Sequence, residues 1–402
     1  MTKTYYELTC AGCDWTQTVY SAGRMGSVQS KANSVARRHE DRAHDVKANE
    51  RVLTTLTENE SPEKVGLYLG KFAPLHKGHQ SCIETAMKET DEVIVVIYDE
   101  PTVTNTPLPV RADWIRQLYS GARTPVTVIE GWTLPTERGY TDEKKREHEE
   151  AIIELLGDRS EEITHFYSSE EYGEHMSNAL DAKDRRVDMD RTEVPISATE
   201  IRESPLENRQ YIDPVVYADL ITRVVFLGGP STGKTTLARE LADEFDTAWM
   251  SEYGREYWAK NQVDGRLTPE QLVTLATGHT GRERSQLMDA EEYLFVDTNP
   301  IYTYAYSHYY HGHAPEELEE MAKECAFTYD VVFLCGCDVP FEDTPDREGV
   351  QTRDRLHKHT KAFLQEHNIE YIKLRGSVEE RMDTVIDVLN EYEKYASVEK
   401  RV

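Results

Sequence analysis

The sequence predicts an α/β protein with two doubly wound parallel sheets in succession and a small additional module at the N-terminus. The chain has 402 residues, more than one core usually holds. Strand-like and helix-like patterns alternate from Val65 to Ser168, and the alternation starts again at Arg223. The run VIVVIY at residues 93–98 is apolar throughout, as is typical of a strand buried on both faces.

The elements of the first α/β domain follow from apolar runs and turn residues. In chain order the patterns predict a strand at Val65–Leu69, a helix from His79 to Glu89, a strand at Glu92–Tyr98, a helix around Val110–Ser120, a strand at Val126–Ile129, a charged helix at Asp142–Leu156 and a strand at Ile163–Ser168.

The second α/β domain repeats the alternation. The patterns predict a strand at Arg223–Gly228, helices at Lys234–Glu244 and Pro269–Asp289, strands at Glu292–Asp297, Asp330–Cys335 and Glu370–Leu374, and a last helix at Val378–Tyr395. Residues 46–63 are polar and include Ser-Pro, so they indicate a linker. We therefore expect a module at 1–45, a linker at 46–63, and α/β domains at 64–220 and 221–402. The join at Pro205–Leu220 is short, so the two α/β domains should touch.

The charge and composition exclude several classes of protein. The formal net charge is −28, and residues 1–60 are balanced with eight basic and eight acidic side chains. This excess argues against general affinity for DNA, RNA or acidic membranes. No apolar run approaches 18 residues and no signal peptide is evident, so we expect no membrane association and a cytoplasmic location. Six scattered cysteines fit reduced thiols better than a disulfide scaffold.

The stretch GLYLGKFAPLHKGH, Gly66 to His79, ends the first strand with an anion-binding pattern. Gly78 lets a phosphate approach the main chain, and His79 opens a helix whose N-terminus attracts anions. His76 and His79 can donate hydrogen bonds to phosphate oxygens, and Lys71 adds a positive charge. The set suits charge that develops on phosphorus and needs no covalent nucleophile. The alternative is a tight turn with surface histidines.

A second stretch, PISATEIRESP at Pro195–Pro205, corroborates the first. Ser197 and Thr199 can cap a helix, and Arg202 offers two parallel hydrogen bonds to phosphate oxygens. The two stretches together resemble the paired signatures of the HxGH nucleotidylyltransferases. In that family the histidines and a lysine stabilise the α-phosphate of ATP while a substrate phosphate attacks it and pyrophosphate leaves.

A P-loop, GGPSTGKT at Gly228–Thr235, follows a predicted strand and opens a helix. Its amides can cradle phosphates, Lys234 can reach the β and γ phosphates, and Thr235 can bind Mg²⁺. The short domain favours a small-molecule kinase over a motor. Asp297, at the end of a later strand, can hold Mg²⁺ or take a proton from a substrate hydroxyl; a helix cap is the alternative.

The order of these motifs resembles the bifunctional nicotinamide-nucleotide adenylyltransferase and ribosylnicotinamide kinase family of the NadR type. The strings GKFAPLHKGH, SSEE, VDMDRTEVPISATEIR, GGPSTGKT, EYGRE and FVDT lie in family order over residues 64–402. The resemblance implies that one domain phosphorylates nicotinamide riboside with ATP and Mg²⁺. The other then joins the mononucleotide to AMP from ATP, which gives NAD and pyrophosphate.

The resemblance also implies roles for individual residues. Catalytic roles fall on Lys71, His76, His79 and Arg202 in the first domain, and on Lys234 and Asp297 in the second. ATP is expected to contact Gly70, Phe72, Gly78, Ser197, Thr199, Gly228, Gly229, Pro230, Ser231, Thr232, Gly233, Thr235, Thr236 and Arg347. Substrates are expected to contact Trp132, Tyr140, Ser168, Ser169, Trp249, Glu252, Tyr253 and Arg255, with plain core packing as the alternative for the aromatic residues.

Three departures from the family pattern stand out. Ser251 occupies the position of a tryptophan before EYGRE, Asn299 that of a second acidic residue after VDT, and no helix-turn-helix domain precedes the first strand.

In place of that domain, Cys10, Cys13, His39 and His44 have the end spacings of a zinc site. The alternatives for residues 1–45 are a loose tail, or a zinc-binding module that binds DNA in an NAD- or ATP-sensing regulator. The same chemistry on another riboside or mononucleotide also stays open, as does a homo-oligomer.

Overall fold

The computed structural model describes residues 5–10, 16–20, 46–51, 64–135, 141–169, 173–341 and 349–395. The chain forms two compact units, Met1–Glu63 and Lys64–Val402. In the described ranges, no helix has both the length and the apolar character that a membrane crossing requires.

The N-terminal unit contains a three-stranded antiparallel sheet. Its strands are β1 (Tyr5–Cys10), β2 (Thr16–Tyr20) and β3 (Val46–Arg51), in the order β2-β1-β3. Strand β3 corrects the sequence prediction, which assigned Val46–Arg51 to the linker. The strand is held by main-chain pairing with β1, and such pairing does not require the apolar pattern used to predict strands.

The first α/β domain has a five-stranded parallel sheet in the order β6-β5-β4-β7-β8. Its strands are β4 (Val65–Gly70), β5 (Glu92–Tyr98), β6 (Val126–Gly131), β7 (Ile163–Ser168) and β8 (Lys183–Arg186). Its helices are α1 (Lys77–Glu89), α2 (Leu108–Leu118), α3 (Asp142–Leu156), α4 (Gly173–Ala179) and α5 (Ala198–Glu203), and helix α6 (Pro214–Leu220) leads to the second domain. The chain adds β5 and β6 on one side of β4 and then β7 and β8 on the other side. Ligands of such sheets bind at the carboxyl end of the strand where this change of side occurs.

The second α/β domain repeats this design with the parallel order β10-β11-β9-β12-β13. Its strands are β9 (Thr222–Leu227), β10 (Trp249–Met250), β11 (Tyr293–Asp297), β12 (Val331–Cys335) and β13 (Ile372–Leu374). Its helices are α7 (Lys234–Glu244), α8 (Tyr253–Asn261), α9 (Pro269–Leu287), α10 (Pro300–His311), α11 (Glu316–Glu324), α12 (Gly349–Glu366) and α13 (Val378–Glu391). The predicted fold class, two parallel-sheet α/β domains, is confirmed.

The two α/β domains share a hydrophobic core. One cluster joins Val95 of the first sheet to Leu227 of the second, with Tyr217 of α6 between them. Polar contacts lie beside this cluster: within the first domain Trp114 donates from Nε1 to Asp219 of α6 at 2.7 Å, and across the boundary the Tyr217 hydroxyl donates to the carbonyl of Ala290 at 2.6 Å. The short join therefore holds the domains in direct contact, as the sequence predicted.

Candidate active sites

The histidine loop, residues 70–79, connects β4 to α1 and is closed by its two histidines. His76 is the N-cap of α1, and its Nδ1 accepts a hydrogen bond from the main-chain N–H of Gly78 at 3.1 Å. The Nδ1 of His79 accepts from the main-chain N–H of His76 at 3.3 Å, and the two rings stack with centroids 3.7 Å apart. Because each Nδ1 is an acceptor, each neutral ring carries its proton on Nε2, where it can be donated to an anion.

Both imidazoles are neutral near pH 7. Burial, followed by the nearby charge of Arg191, lowers the pKa of His76 to about 4. Burial, and then His76 and Arg191, hold the pKa of His79 well below its usual range. The histidines therefore supply hydrogen bonds, and the positive charge at this loop comes from other side chains.

Lys71 is one source of that charge, and it is already paired. Its Nζ donates to Oε2 of Glu100 at 2.6 Å, and Glu100 is 4% exposed. The motif did not reveal this partner, which lies 29 residues away at the end of β5. The ion pair fixes the position of Lys71 beside the loop.

The second signature packs directly against the histidine loop. Arg202 donates from Nη1 to the carbonyl of Ala73 at 2.5 Å and from Nη2 to Oγ1 of Thr199 at 3.1 Å. Ser197 forms a capping box with Glu200, so the Ser197 hydroxyl serves the helix. The structure thus brings together two segments that lie about 120 residues apart in the sequence.

Arg191 was missed by the sequence analysis. It lies in a turn that Asp188 stabilises by accepting hydrogen bonds from the main-chain N–H groups of Thr192, Glu193 and Val194 at 2.8 to 3.0 Å. Its guanidinium lies near enough to both histidines to lower their pKa values. The only sequence signal was its position in DRTEVPISATEIR, directly before the second signature.

The glycines and Phe72 shape the loop from within. A Cβ at Gly78 would lie 3.0 Å from the His76 ring, and one at Gly70 would lie 2.9 Å from the Phe72 ring. Phe72 is fully buried and its ring packs edge-on against His79 at 5.0 Å. The side chain of Phe72 therefore supports the loop, and its expected contact with ATP stays a prediction.

The predicted substrate residues of the first domain lie at the carboxyl edge of the same sheet. Ser168 ends β7, is buried, and is in close contact with Gly173, while Ser169 hydrogen-bonds to the thiol of Cys82. Trp132 follows the edge strand β6 and is 56% exposed, so its ring is accessible for stacking. Tyr140 lies outside the described residues.

The P-loop, Gly228–Thr235, connects β9 to α7. Gly228 and Gly233 adopt positive φ values of 138° and 85°, which favour glycine. The Lys234 ammonium donates to the carbonyl of Gly229 at 2.9 Å and lies over the Tyr302 ring, 4.7 Å from its centroid. Lys234 therefore closes the loop on itself.

The remaining P-loop residues form the turn around this lysine. Thr232 is fully buried and donates from Oγ1 to the carbonyl of Gly229 at 2.8 Å. Pro230 is buried, Ser231 has a φ of 56°, and Thr236 is half-buried on the first turn of α7.

Asp297 lies beside the P-loop at the end of β11 and is fully buried. Its Oδ2 accepts a hydrogen bond from Oγ1 of Thr235 at 2.5 Å, whereas its Oδ1 has no hydrogen-bond partner. Burial, and then the charge of Glu252, raise the pKa of Asp297 to about 7. A hydroxyl and a carboxylate with one unused buried oxygen fit Mg²⁺, which takes hard oxygen ligands. The neighbouring Asn299 also has an unpartnered buried group, its Nδ2.

The predicted substrate residues of the second domain differ in their surroundings. Trp249 packs against the apolar cluster that contains Leu237 and Val385, so the structure favours the core-packing alternative for this side chain. The Tyr253 ring is covered by the guanidinium of Arg282, 3.9 Å from its centroid.

Glu252 is half-buried, and its charge raises the pKa of Asp297. Glu252 therefore lies near Asp297 and the P-loop. Arg255 lies 4.0 Å from Glu252. Arg347 lies outside the described residues, as do Cys13, His39 and His44; Cys10 is the last residue of β1.

Comparisons with known proteins match both α/β domains. The family described as "Cytidylyltransferase-like" matches residues 67–204, and the family described as "AAA domain" matches residues 223–381. The "Trifunctional NAD biosynthesis/regulator protein NadR" of Escherichia coli strain K12 is 26% identical over 338 residues, which are 77% of this chain and 78% of that protein. The protein of the same name from Salmonella typhimurium strain LT2 is 27% identical over 351 residues, 78% of this chain and 79% of that protein.

One solved structure, described as "NadR protein in complex with NR", is 25% identical with a TM-score of 0.49 and covers 82% of this chain and 96% of that one. This chain is therefore similar over both α/β domains to two curated proteins named NadR, and it has a cytidylyltransferase-like match followed by an AAA-domain match.

Proposed function

We propose that this chain is a two-step enzyme of NAD biosynthesis. The second domain transfers the γ-phosphoryl group of ATP to the 5′-hydroxyl of nicotinamide riboside. The first domain joins the resulting mononucleotide to the adenylyl group of a second ATP and releases pyrophosphate. The observation that carries the proposal is the pair of different phosphate-binding loops, each at the carboxyl end of a central parallel strand. The names of the two curated relatives agree with it.

Adenylyl transfer in the first domain follows from hydrogen bonding and charge. The Nε2–H groups of His76 and His79 donate to the α-phosphate as negative charge builds on its oxygens. Lys71 and Arg202 bind the phosphates that leave as pyrophosphate. The phosphate of the mononucleotide attacks the α-phosphorus as the bond to pyrophosphate breaks, so no covalent enzyme intermediate is required.

Phosphoryl transfer in the second domain uses the P-loop and Asp297. Thr235 and Asp297 would hold Mg²⁺, which supplies positive charge to the β and γ phosphates when bound. Lys234 binds the same phosphates after it releases the carbonyl of Gly229. As the alternative to metal binding, the buried Asp297 carboxylate is a candidate to accept the proton of the riboside hydroxyl.

Recognition of the cationic nicotinamide ring is assigned to accessible aromatic faces. Trp132 is 56% exposed, more than Trp249 or Tyr253, and it is our candidate in the first domain. In the second domain, Glu252 and Arg255 are our candidates for the ribose hydroxyl groups.

The test supplies the purified full chain with nicotinamide riboside, ATP and Mg²⁺ and follows mononucleotide and NAD by chromatography. Lys234→Ala should abolish riboside phosphorylation and leave NAD formation from supplied mononucleotide intact. His79→Ala should do the reverse, with a loss on the order of 100-fold in rate. The exposed Lys323→Ala and His359→Ala variants are matched controls that should keep both activities. Loss of both activities from a folded Lys234→Ala or His79→Ala protein would contradict the two-site assignment.

For the N-terminal unit we propose that Cys10, Cys13, His39 and His44 bind one zinc ion. The support is the spacing of these residues in the sequence. Metal analysis of the full chain should find one zinc per chain, and none when Cys10 and Cys13 are both changed to Ser. Equal zinc content in both proteins would exclude this site.

A further inference from the structure

Arg111 and Arg381 are almost completely buried, and no sequence motif accounts for either. Arg111 on α2 is 0% exposed and Arg381 on α13 is 1% exposed. Burial of a guanidinium carries a large desolvation penalty unless its donors are satisfied, and a protein with an apolar side chain of the same size in its place is often more stable. The reason for each buried charge must therefore lie in the groups to which the guanidinium donates hydrogen bonds.

Arg111 holds the start of the histidine loop. Its Nη1 donates to the carbonyl of Lys71 at 2.5 Å and to the carbonyl of Tyr98 at 2.8 Å. Its Nε donates to the carbonyl of Thr106 at 2.9 Å, and its Nη2 donates to Asp99 at 3.2 Å. One side chain thus joins the carboxyl ends of β4 and β5, and it fixes the peptide group that follows Lys71.

Arg381 holds the P-loop in the same manner. Its Nη1 donates to the carbonyl of Thr232 at 2.7 Å, and its Nε donates to the carbonyl of Gly376 at 3.0 Å. Its Nη2 donates to Asp338 at 2.9 Å, and the other oxygen of Asp338 accepts from the main-chain N–H of Gly376 at 2.6 Å. The guanidinium therefore reaches the loop from the C-terminal helix across 149 residues of sequence.

The contact with Thr232 acts on the phosphate side of the loop. A phosphate-binding loop points its N–H groups at the anion, so the carbonyl groups of the same peptides point away from it. A donor behind the Thr232 carbonyl fixes the plane of the Thr232–Gly233 peptide and hence the direction of the Gly233 N–H. It also places a positive charge behind the loop, 3.8 Å from the position that a Cβ on Gly233 would take.

We propose that Arg111 and Arg381 are positioning residues, each for one half-reaction: Arg111 orients the histidine loop for adenylyl transfer, and Arg381 orients the P-loop for phosphoryl transfer. This inference rests on the two-step function proposed above. Neither arginine needs to touch a substrate, since each acts through the main chain of a loop. Each half-reaction should depend on only one of the two arginines, because each guanidinium contacts only one of the two loops.

The test measures both half-reactions in Arg111→Met, Arg381→Met, Arg111→Lys and Arg381→Lys, with Arg284→Met on the exposed face of α9 as the control. A displacement of the loop by about 1 Å costs on the order of 100-fold in rate. We expect each Met variant to lose about that factor in kcat/KM of its own half-reaction. The other half-reaction should stay within about twofold of the unmodified chain and report correct folding.

The Lys variants keep the positive charge but cannot reach all the acceptors. They should fold even if a Met variant does not, and they should show an intermediate, roughly tenfold, loss in their own half-reaction. Lys variants that match the unmodified chain in both half-reactions would overturn the proposal, and so would an equal fall of both half-reactions in any variant. Absence of NAD synthesis by the unmodified chain would instead overturn the proposed function.

Discussion

The variant Gly229→Ala keeps the P-loop sequence motif but should disturb the packing of the P-loop against its neighbours. The pattern G-x-x-x-x-G-K-T accepts any residue at position 229. In the structure, a Cβ at this position would lie 2.5 Å from the main-chain carbonyl oxygen of Arg353 and 2.9 Å from Cγ of the same residue. Van der Waals contact requires more than 3 Å, and a carbonyl in helix α12 cannot rotate out of the way.

The size of the effect follows from this overlap. Either the P-loop or the start of α12 must move by about 0.5 to 1 Å, and such overpacking costs about 1 to 3 kcal/mol of folding free energy. Displacement of the loop by the same distance lowers the rate of phosphoryl transfer by about 10- to 100-fold. The histidine loop belongs to the other sheet, so adenylyl transfer should be unchanged.

The assay combines urea unfolding with separate measurements of the two half-reactions. Gly281→Ala is the matched control, because a Cβ at that exposed position in α9 meets no atom within 4 Å. Alanine is a better helix former, so this control should gain about 1 kcal/mol of stability. A Gly229→Ala protein with unchanged riboside phosphorylation would refute the packing argument.

Three further predictions concern the proposed metal ligand, a buried histidine and the contact between helices α2 and α6. Asp297→Asn should lower riboside phosphorylation about 100-fold and raise its Mg²⁺ requirement, while adenylyl transfer stays constant; an unchanged Mg²⁺ titration would contradict the assigned role. His76 has a folded pKa of about 4, below its ordinary value, so its contribution to stability is complete above pH 6.5 and is lost on acidification. Urea unfolding at pH 7 and pH 5 should show a loss about 2 kcal/mol greater for the unmodified chain than for His76→Gln, and parallel losses would disprove this. Trp114→Phe removes the hydrogen bond to Asp219 and should lower the free energy of unfolding by about 2 kcal/mol, whereas a change below about 0.5 kcal/mol would show that this contact is dispensable.

The sequence predicted those parts of the molecule that depend on local patterns. The buried parallel strand β5 (Glu92–Tyr98) is apolar from Val93 onward, and its predicted bounds agree with the structure. Helix α3 is bounded by Thr141, whose hydroxyl caps it, and by Gly157 at its end. Strand β8 was missed because its sequence, KDRR, is polar, and it pairs only at the sheet edge with β7.

Helix α12 was missed as well. No helix was predicted in the polar stretch around residues 346–355, but Gly349–Glu366 is a helix, and Thr352 and Leu356 on it are buried. Arg353 is buried beside the P-loop, whereas Arg355 is exposed. Alternating polar and apolar residues on a short stretch were too weak a helical signal against the glycine and the charges.

The loops of the candidate sites were predicted because each motif is continuous in the sequence. Their supports were not, because the partners are distant: Glu100 binds Lys71 from the next strand, and Arg111 lies 40 residues from Lys71. Nor could a pattern show that Lys234 folds back on Gly229 or that Arg282 covers the Tyr253 ring. Such contacts depend on tertiary packing, which a motif does not record.

The common core of the two α/β domains has a consequence for how the chain responds to its ligands. Because Val95, Tyr217 and Leu227 belong to one apolar cluster, neither sheet can lose its structure without exposing a surface of the other. A nucleotide that binds only the folded P-loop should therefore protect the distant histidine loop from proteolysis as well, by mass action. For the same reason, a cut between residues 220 and 221 would leave each half with an apolar face in water, so the two catalysts are best regarded as inseparable parts of one folding unit.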